Sequence, residues 1–255
     1  MSHRWNTNND APSKPVSTKS REDPGPDGPP LNSNVMLQMR DLIDNLRKET
    51  ETTIRVFYTL RQFRLFLLTS ESVEKINRNP DFWIIYESSL RTNMFVRIRR
   101  LYEAKPGTFN FQKFIDSCIK NISLFSKDAL RARKFRNSHN AHEWIDDYMK
   151  NVYEPNESDF KSLARLVRDN SKNMRGAYID AATKIYAHAI HMDHASMEKL
   201  SEKLNFEEIE QALTSIWHAY GQVWQMFENG ERPHFEIKPY PYAQEVIDSV
   251  IKQVG

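Results

Sequence analysis

An antiparallel all-α bundle with a disordered N-terminal tail is the fold class this sequence predicts, and three observations carry that expectation. Beyond residue 33, apolar residues recur at close to 3.6-residue spacing along most of the chain. No segment alternates apolar and polar residues as a half-buried strand does. Only 7 glycines occur in 255 residues, and none cluster as a dinucleotide fingerprint or a phosphate-cradling loop.

Residues 1–33 are read as the tail. Half of the chain's 12 prolines fall there, among Asn, Asp, Ser and Gly, and such a segment buries too little surface to offset its ordering entropy. From Asn34 a stripe of Val35, Leu37, Met39, Leu42, Ile43 and Leu46 continues through Ile54, Phe57, Leu60, Phe63 and Leu68. It predicts one long helix, or two with a break, over about 35–67. Ser70 reads as a cap for a short helix, with early acids Glu71 and Glu74. Asn79-Pro80-Asp81 reads as an interruption, and the next helix is placed from Phe82 to about Ala104, stopped by Lys105-Pro106-Gly107. Phe109–Phe125 follows as a helix. Residues 128–150 read as a polar, charged stretch. Helices are expected near 160–170 and over 172–193. Leu204–Glu208 opens a last core helix that Asn229-Gly230 closes. Residues 34–230 form the bundle, and 231–255 an extension with a short helix at about 243–253.

The formal charge of +2 sets 36 basic against 34 acidic residues, so attraction to a polyanion must come from a local patch. Cys118 is the lone cysteine, which fits a reducing compartment, and its apolar neighbours predict a core thiol rather than a nucleophile. The longest apolar run, Phe82–Tyr86, is far short of the ~18 residues that span a bilayer. The N-terminus has no apolar signal region. A cytoplasmic protein without membrane association is expected.

Chemistry concentrates between Lys184 and His194. That stretch holds Lys184, His188, His191, Asp193 and His194. On a helix Lys184 and His188 share a face. A neutral imidazole beside a cation can take the proton of a ribose 2′-hydroxyl, while the cation stabilises charge on the phosphate. The cation also disfavours protonation of the ring and keeps it available as a base. A metal reading is open to His188, His191 and His194, but steps of three residues drift around the helix, so two of them can converge and hardly all three. No metal site and no cofactor is assigned.

The segment Lys184-Ile185-Tyr186-Ala187-His188, followed by Asp193 and by Phe206-Glu207-Glu208-Ile209, resembles the HEPN superfamily, in its abortive-infection AbiU-type branch. Tyr86–Leu90 and Val96–Tyr102 look like an earlier helix of that branch, and the resemblance covers roughly residues 35–230. It implies a helical bundle, often dimeric. In active members it implies a metal-independent endoribonuclease whose Arg and His meet near the dimer interface, the Arg preceding the His by a few residues. Here the positions for that Arg hold Ala181, Ala182 and Thr183, so Lys184 and His188 alone carry over.

A second stretch, Arg136-Asn137-Ser138-His139-Asn140-Ala141-His142, has the Arg–polar–His pattern in full, one helix early for the family order. Arg136 and His142 therefore join His188 and Lys184 as catalytic candidates, and packing that brought the stretches together would build a composite site. Two basic clusters, with Arg97 and Arg100 in one and Arg133 and Lys134 in the other, are read either as solvated faces or as RNA-binding cations. Trp217, Tyr220, Trp224 and Phe227 are expected in the core or at a dimer seam. The expectation for function is a HEPN-like protein of phage-defence or stress type that binds RNA and cleaves it through His188. The alternative is a catalytically degenerate dimerisation or interaction module, such as a toxin–antitoxin partner. RNA, a second copy of the chain and a partner protein are the partners considered.

Overall fold

The apolar stripe that begins near residue 35 folds as one uninterrupted helix, α1 (Ser33–Leu67). The computed structural model describes residues 33–103, 108–181 and 205–254, and there the fold is all-α with no strand. After α1 come α2 (Ser70–Arg78), α3 (Pro80–Tyr102) and α4 (Phe111–Lys120). A 3₁₀ turn (Ile122–Phe125) leads to α5 (Lys127–Asn137) and α6 (Ala141–Lys150). The described chain continues with α7 (Glu157–Asn170), α8 (Lys172–Ala181), α9 (Phe206–Asn229) and α10 (Ala243–Val254).

Short polar side chains set the helix starts. Thr69 Oγ1 accepts from the Ser72 amide at 3.3 Å, so the cap of α2 is one residue earlier than the sequence suggested. Asn79 Oδ1 accepts from the Phe82 amide, and Pro80 is the first residue of α3. Asn79-Pro80 thus starts a helix rather than interrupting one, because a first-turn proline forfeits an N–H that has no helical partner anyway. Asn110 caps α4, Ser126 caps α5 and Asn205 caps α9. Asn156 and Asp159 form a reciprocal capping box at α7, pulling its start back to Glu157. The charged stretch 128–150 also folds as helices, α5 and α6; four of its apolar residues, Ala129, Leu130, Ala141 and Ile145, are buried and dock it, while Phe135 stays exposed.

α1 is the central element, packed on α3, α9 and α10. Its cross-links run in opposite sequence directions. Glu49 meets Arg97 while Phe63 stacks on Trp83, so α3 is antiparallel to α1. Arg40 pairs with Glu228 while Tyr58 bonds Glu210, so α9 is antiparallel as well. Ile54, Phe57, Leu60, Phe95, Ile98, Phe114, Phe160 and Phe227 lie in one shared core with the inner face of α9. Tyr240 and Val246 from the C-terminal stretch belong to the same cluster. Cys118 is fully buried there, and burial pushes its thiol pKa far above the ordinary range, as suits a core residue. Trp217 is only partly buried and Trp224 is 39% exposed, so the aromatic stripe of α9 is half core, half surface.

Candidate functional site

The Lys184–His194 stretch, and with it Lys184, His188, His191, Asp193 and His194, lies outside the described residues. What is described is its frame. The chain enters through α8 and returns at the Asn205 cap of α9. These two ends meet: Tyr178 Oη donates to the Asn205 carbonyl at 3.5 Å, and the Tyr178 ring stacks on Phe95 of α3 at 5.8 Å. Burial and the nearby Glu208 raise the Tyr178 pKa, so it remains a neutral donor.

Charged side chains line this end of the bundle. Glu87 of α3 is held by Arg64 of α1, at 3.0 and 3.2 Å, and by Arg91, one turn further along α3. Arg64 also lies over the ring of Phe206, the first residue of α9, at 5.6 Å. Beside it Glu210 accepts from Tyr58 Oη at 2.6 Å and from Arg61 Nη1 at 2.8 Å. Three arginines and two glutamates thus meet where α1, α3 and α9 come together. None of it stood out in the sequence, because its members come from three helices and no local spacing announces them.

Along α3, Ser88, Ser89, Thr92, Asn93 and Val96 line a shallow groove of about 410 Å³. Arg97 Nε donates to Asn93 Oδ1 at 2.8 Å at one end of it. Arg97 and Arg100 both reach Glu49 of α1, at 3.3 and 3.8 Å, and Arg100 remains 62% exposed. Two cations around one anion leave a net positive spot beside a groove of hydroxyls and an amide.

The other predicted residues fall at the opposite region, on α5 and α6. Arg136 is in the last turn of α5 and His142 in the first of α6, so the Arg–His pattern spans a turn between two helices. Both are exposed, and no hydrogen bond joins them. The charged neighbour of His142 is Glu143, with Nε2 3.9 Å from Oε1. Lys134 sits over the Tyr148 ring at 5.2 Å and donates to Asn229 Oδ1 at 3.4 Å.

Arg133 departs from its expected place on an RNA-binding surface. It is 4% exposed. Nη1 donates to the Leu124 carbonyl at 2.7 Å, Nη2 donates to the Phe227 carbonyl, and the guanidinium covers the Phe227 ring at 4.1 Å. It satisfies carbonyls left over at the ends of the 3₁₀ turn and of α9. Burial lowers its pKa to about 10, still well above neutrality, so it stays charged. Residues 131–136 spread around a helix, and Arg133 occupies the inward side.

A model of the AbiU2 family of HEPN domains matches residues 36–248. The chain belongs to that family. The match spans the whole described bundle and reaches into α10, so the AbiU2 unit includes the C-terminal stretch that packs on α1. Neither the curated proteins nor the solved structures give a match to the chain. Among the described residues, no cluster of three His, Cys, Asp or Glu side chains could hold a metal, and no helix is long and apolar enough to cross a membrane.

Proposed function

We propose that this AbiU2 protein acts in abortive infection or a related stress response by binding RNA as a homodimer and cleaving it without metal. The observation that carries the reading is family membership over 36–248 together with the Lys184-x-x-Ala187-His188 segment inside that span. His188 takes the proton of a ribose 2′-hydroxyl, and the freed oxygen attacks the adjacent phosphorus. The bond to the 5′-oxygen breaks, leaving a 2′,3′-cyclic phosphate and a 5′-hydroxyl that receives a proton. Lys184 stabilises the added negative charge. Arg97 and Arg100, beside the hydroxyl-lined groove of α3, supply phosphate contacts, with Lys134 a further cation on the α5 side.

The test is a cleavage assay on a mixed RNA pool in the presence of EDTA, comparing the native chain with His188→Ala, Lys184→Ala and His142→Ala. Loss with His188→Ala and a marked fall with Lys184→Ala, with His142→Ala unaffected and the fold intact by circular dichroism, supports the assignment. Loss with His142→Ala instead moves the chemistry to the α5–α6 turn.

One observation favours a second reading. Ala181, Ala182 and Thr183 stand where the family's Arg is expected, and this suits a degenerate member that binds RNA or a protein partner without cleaving. Salt-sensitive RNA binding with no cleavage would select it.

A further inference from the structure

Where α1 ends, α2 turns back and α3 begins, large apolar side chains stand in solvent. Leu65 and Leu68 are 50% and 83% exposed, Val73 of α2 is 55%, and Phe82, Ile84 and Ile85 of α3 are 51%, 66% and 65%. The inner side of this corner is packed. Phe63 and Phe66 of α1 pack on Trp83, and Tyr86 meets Phe63 edge-on at 5.1 Å. Trp83 and Tyr86 therefore take the inward side of α3, and Ile84 and Ile85 are left pointing outward.

We propose that this corner is the face through which two copies of the chain associate. The six side chains together present several hundred Å² of apolar surface, the size that marks an interaction site on proteins free in water. A stable interface buries ~800 Å² per partner, and these side chains would form its apolar centre. The charges at its margin also fit a second copy. Glu74 and Arg78 pair at 2.8 Å, and Lys75 and Asp81 add one charge of each sign. A two-fold contact meets itself, so both signs at its rim let each copy pair with the other. A polyanion or an anionic lipid surface requires an excess of positive charge, which these four residues do not provide. The inference rests on the homodimer stated above and gives that dimer its surface.

The experiment is light scattering on the full chain at micromolar concentration, for the native protein, for Ile84→Asp/Ile85→Asp, and for Ile251→Asp as an exposed apolar control on α10. The expected result is a two-chain mass for the native protein and the control, and a one-chain mass for the double variant, with equal helicity by circular dichroism. In a separate arm, Ile84→Cys treated with a short bis-maleimide should give a covalent dimer. Cys118 is buried and does not compete. A native dimer that survives the double variant and fails to cross-link overturns the assigned face but leaves the dimer standing. A native monomer overturns both. If the Ile84→Asp/Ile85→Asp change in that monomer exposes residues 1–32 to protease, the face covers the chain's own N-terminal segment. If the monomer floats with phosphatidylcholine vesicles, the face is a lipid contact.

Discussion

Arg133 caps Phe227 twice over: one guanidinium N–H donates to the Phe227 carbonyl, and the same guanidinium sits over the Phe227 ring with Cζ 4.1 Å from its centroid. The second Nη reaches Leu124, so one side chain ties α5, the 3₁₀ turn and the C-terminal end of α9 together. The +1 charge there also sits at a helix C-terminus, where the backbone dipole favours it.

Arg133→Ala should therefore cost about 3 kcal/mol, since it removes two charge-assisted hydrogen bonds and leaves two buried carbonyls unsatisfied. Arg133→Lys should recover only part of that, because a point ammonium cannot fork to both carbonyls and cover the ring together. Chemical denaturation of the three proteins checks this. RNA affinity measured well below the unfolding transition should not change.

Gly230 ends α9 with φ of +60°, in the left-handed region. An added Cβ would lie 2.6 Å from Val152 Cγ1 and 2.7 Å from Leu130 Cδ2. The Gly230 carbonyl also accepts from the Tyr153 amide at 2.7 Å, fixing this turn against the start of the 153–156 loop. Gly230→Ala should destabilise by about 2 kcal/mol or more, from backbone strain plus the steric push on α5. A lower thermal midpoint with unchanged helicity is the expected readout.

His218, on α9, is 7% exposed, and its Nε2 lies 2.8 Å from the His234 carbonyl, to which it donates as the Nε2–H tautomer. Burial lowers its pKa from the usual 6.5 and outweighs the hydrogen bond to the His234 carbonyl, which raises it; the charges of His234 and Lys238 lower it further. The folded state then binds fewer protons than the unfolded chain. The stability this ring contributes is full above pH 6.5 and is lost as pH falls below it. His218→Gln, which can still donate to the His234 carbonyl, should flatten the fall in thermal midpoint between pH 7.5 and 5. A slope identical to the native one would show that other groups set the acid sensitivity.

Glu49 neutralises one of the two charges brought by Arg97 and Arg100. Glu49→Gln should tighten RNA binding several-fold at low salt and steepen the salt dependence by roughly one ion. Arg100→Ala should do the reverse. Arg100 is exposed and its ion pair contributes little, so Arg100→Ala should move stability by no more than about 1 kcal/mol; Glu49 and Arg97 are partly buried, so Glu49→Gln should cost about 1 kcal/mol or somewhat more. Fluorescence anisotropy with a labelled single-stranded RNA across a salt series measures both.

Periodicity alone was enough for the all-α class, for a helical stretch over about 35–67 and for most of the apolar faces that meet in the core, because helix burial is written locally every three to four residues; that the stretch is one helix rather than two, and that Leu37 and Leu68 of its stripe face solvent, only the structure decided. Gly230 as a stop was equally legible, since few other residues adopt a positive φ. The Lys184–His188 candidate also came from sequence, from an imidazole and a cation four residues apart and then from the family resemblance. Tertiary structure alone decided the rest. It turned Arg133 inward while its neighbours in the same charged run stayed at or near the surface. It converted 128–150 from a polar stretch into α5 and α6, and it assembled Glu87, Arg64 and Arg91 with Glu210 and Arg61 from three helices. The physical reason is common to these cases. A charge carries no periodic signature of its own, and its role is fixed by which carbonyl, ring or counter-charge the folded chain sets within reach.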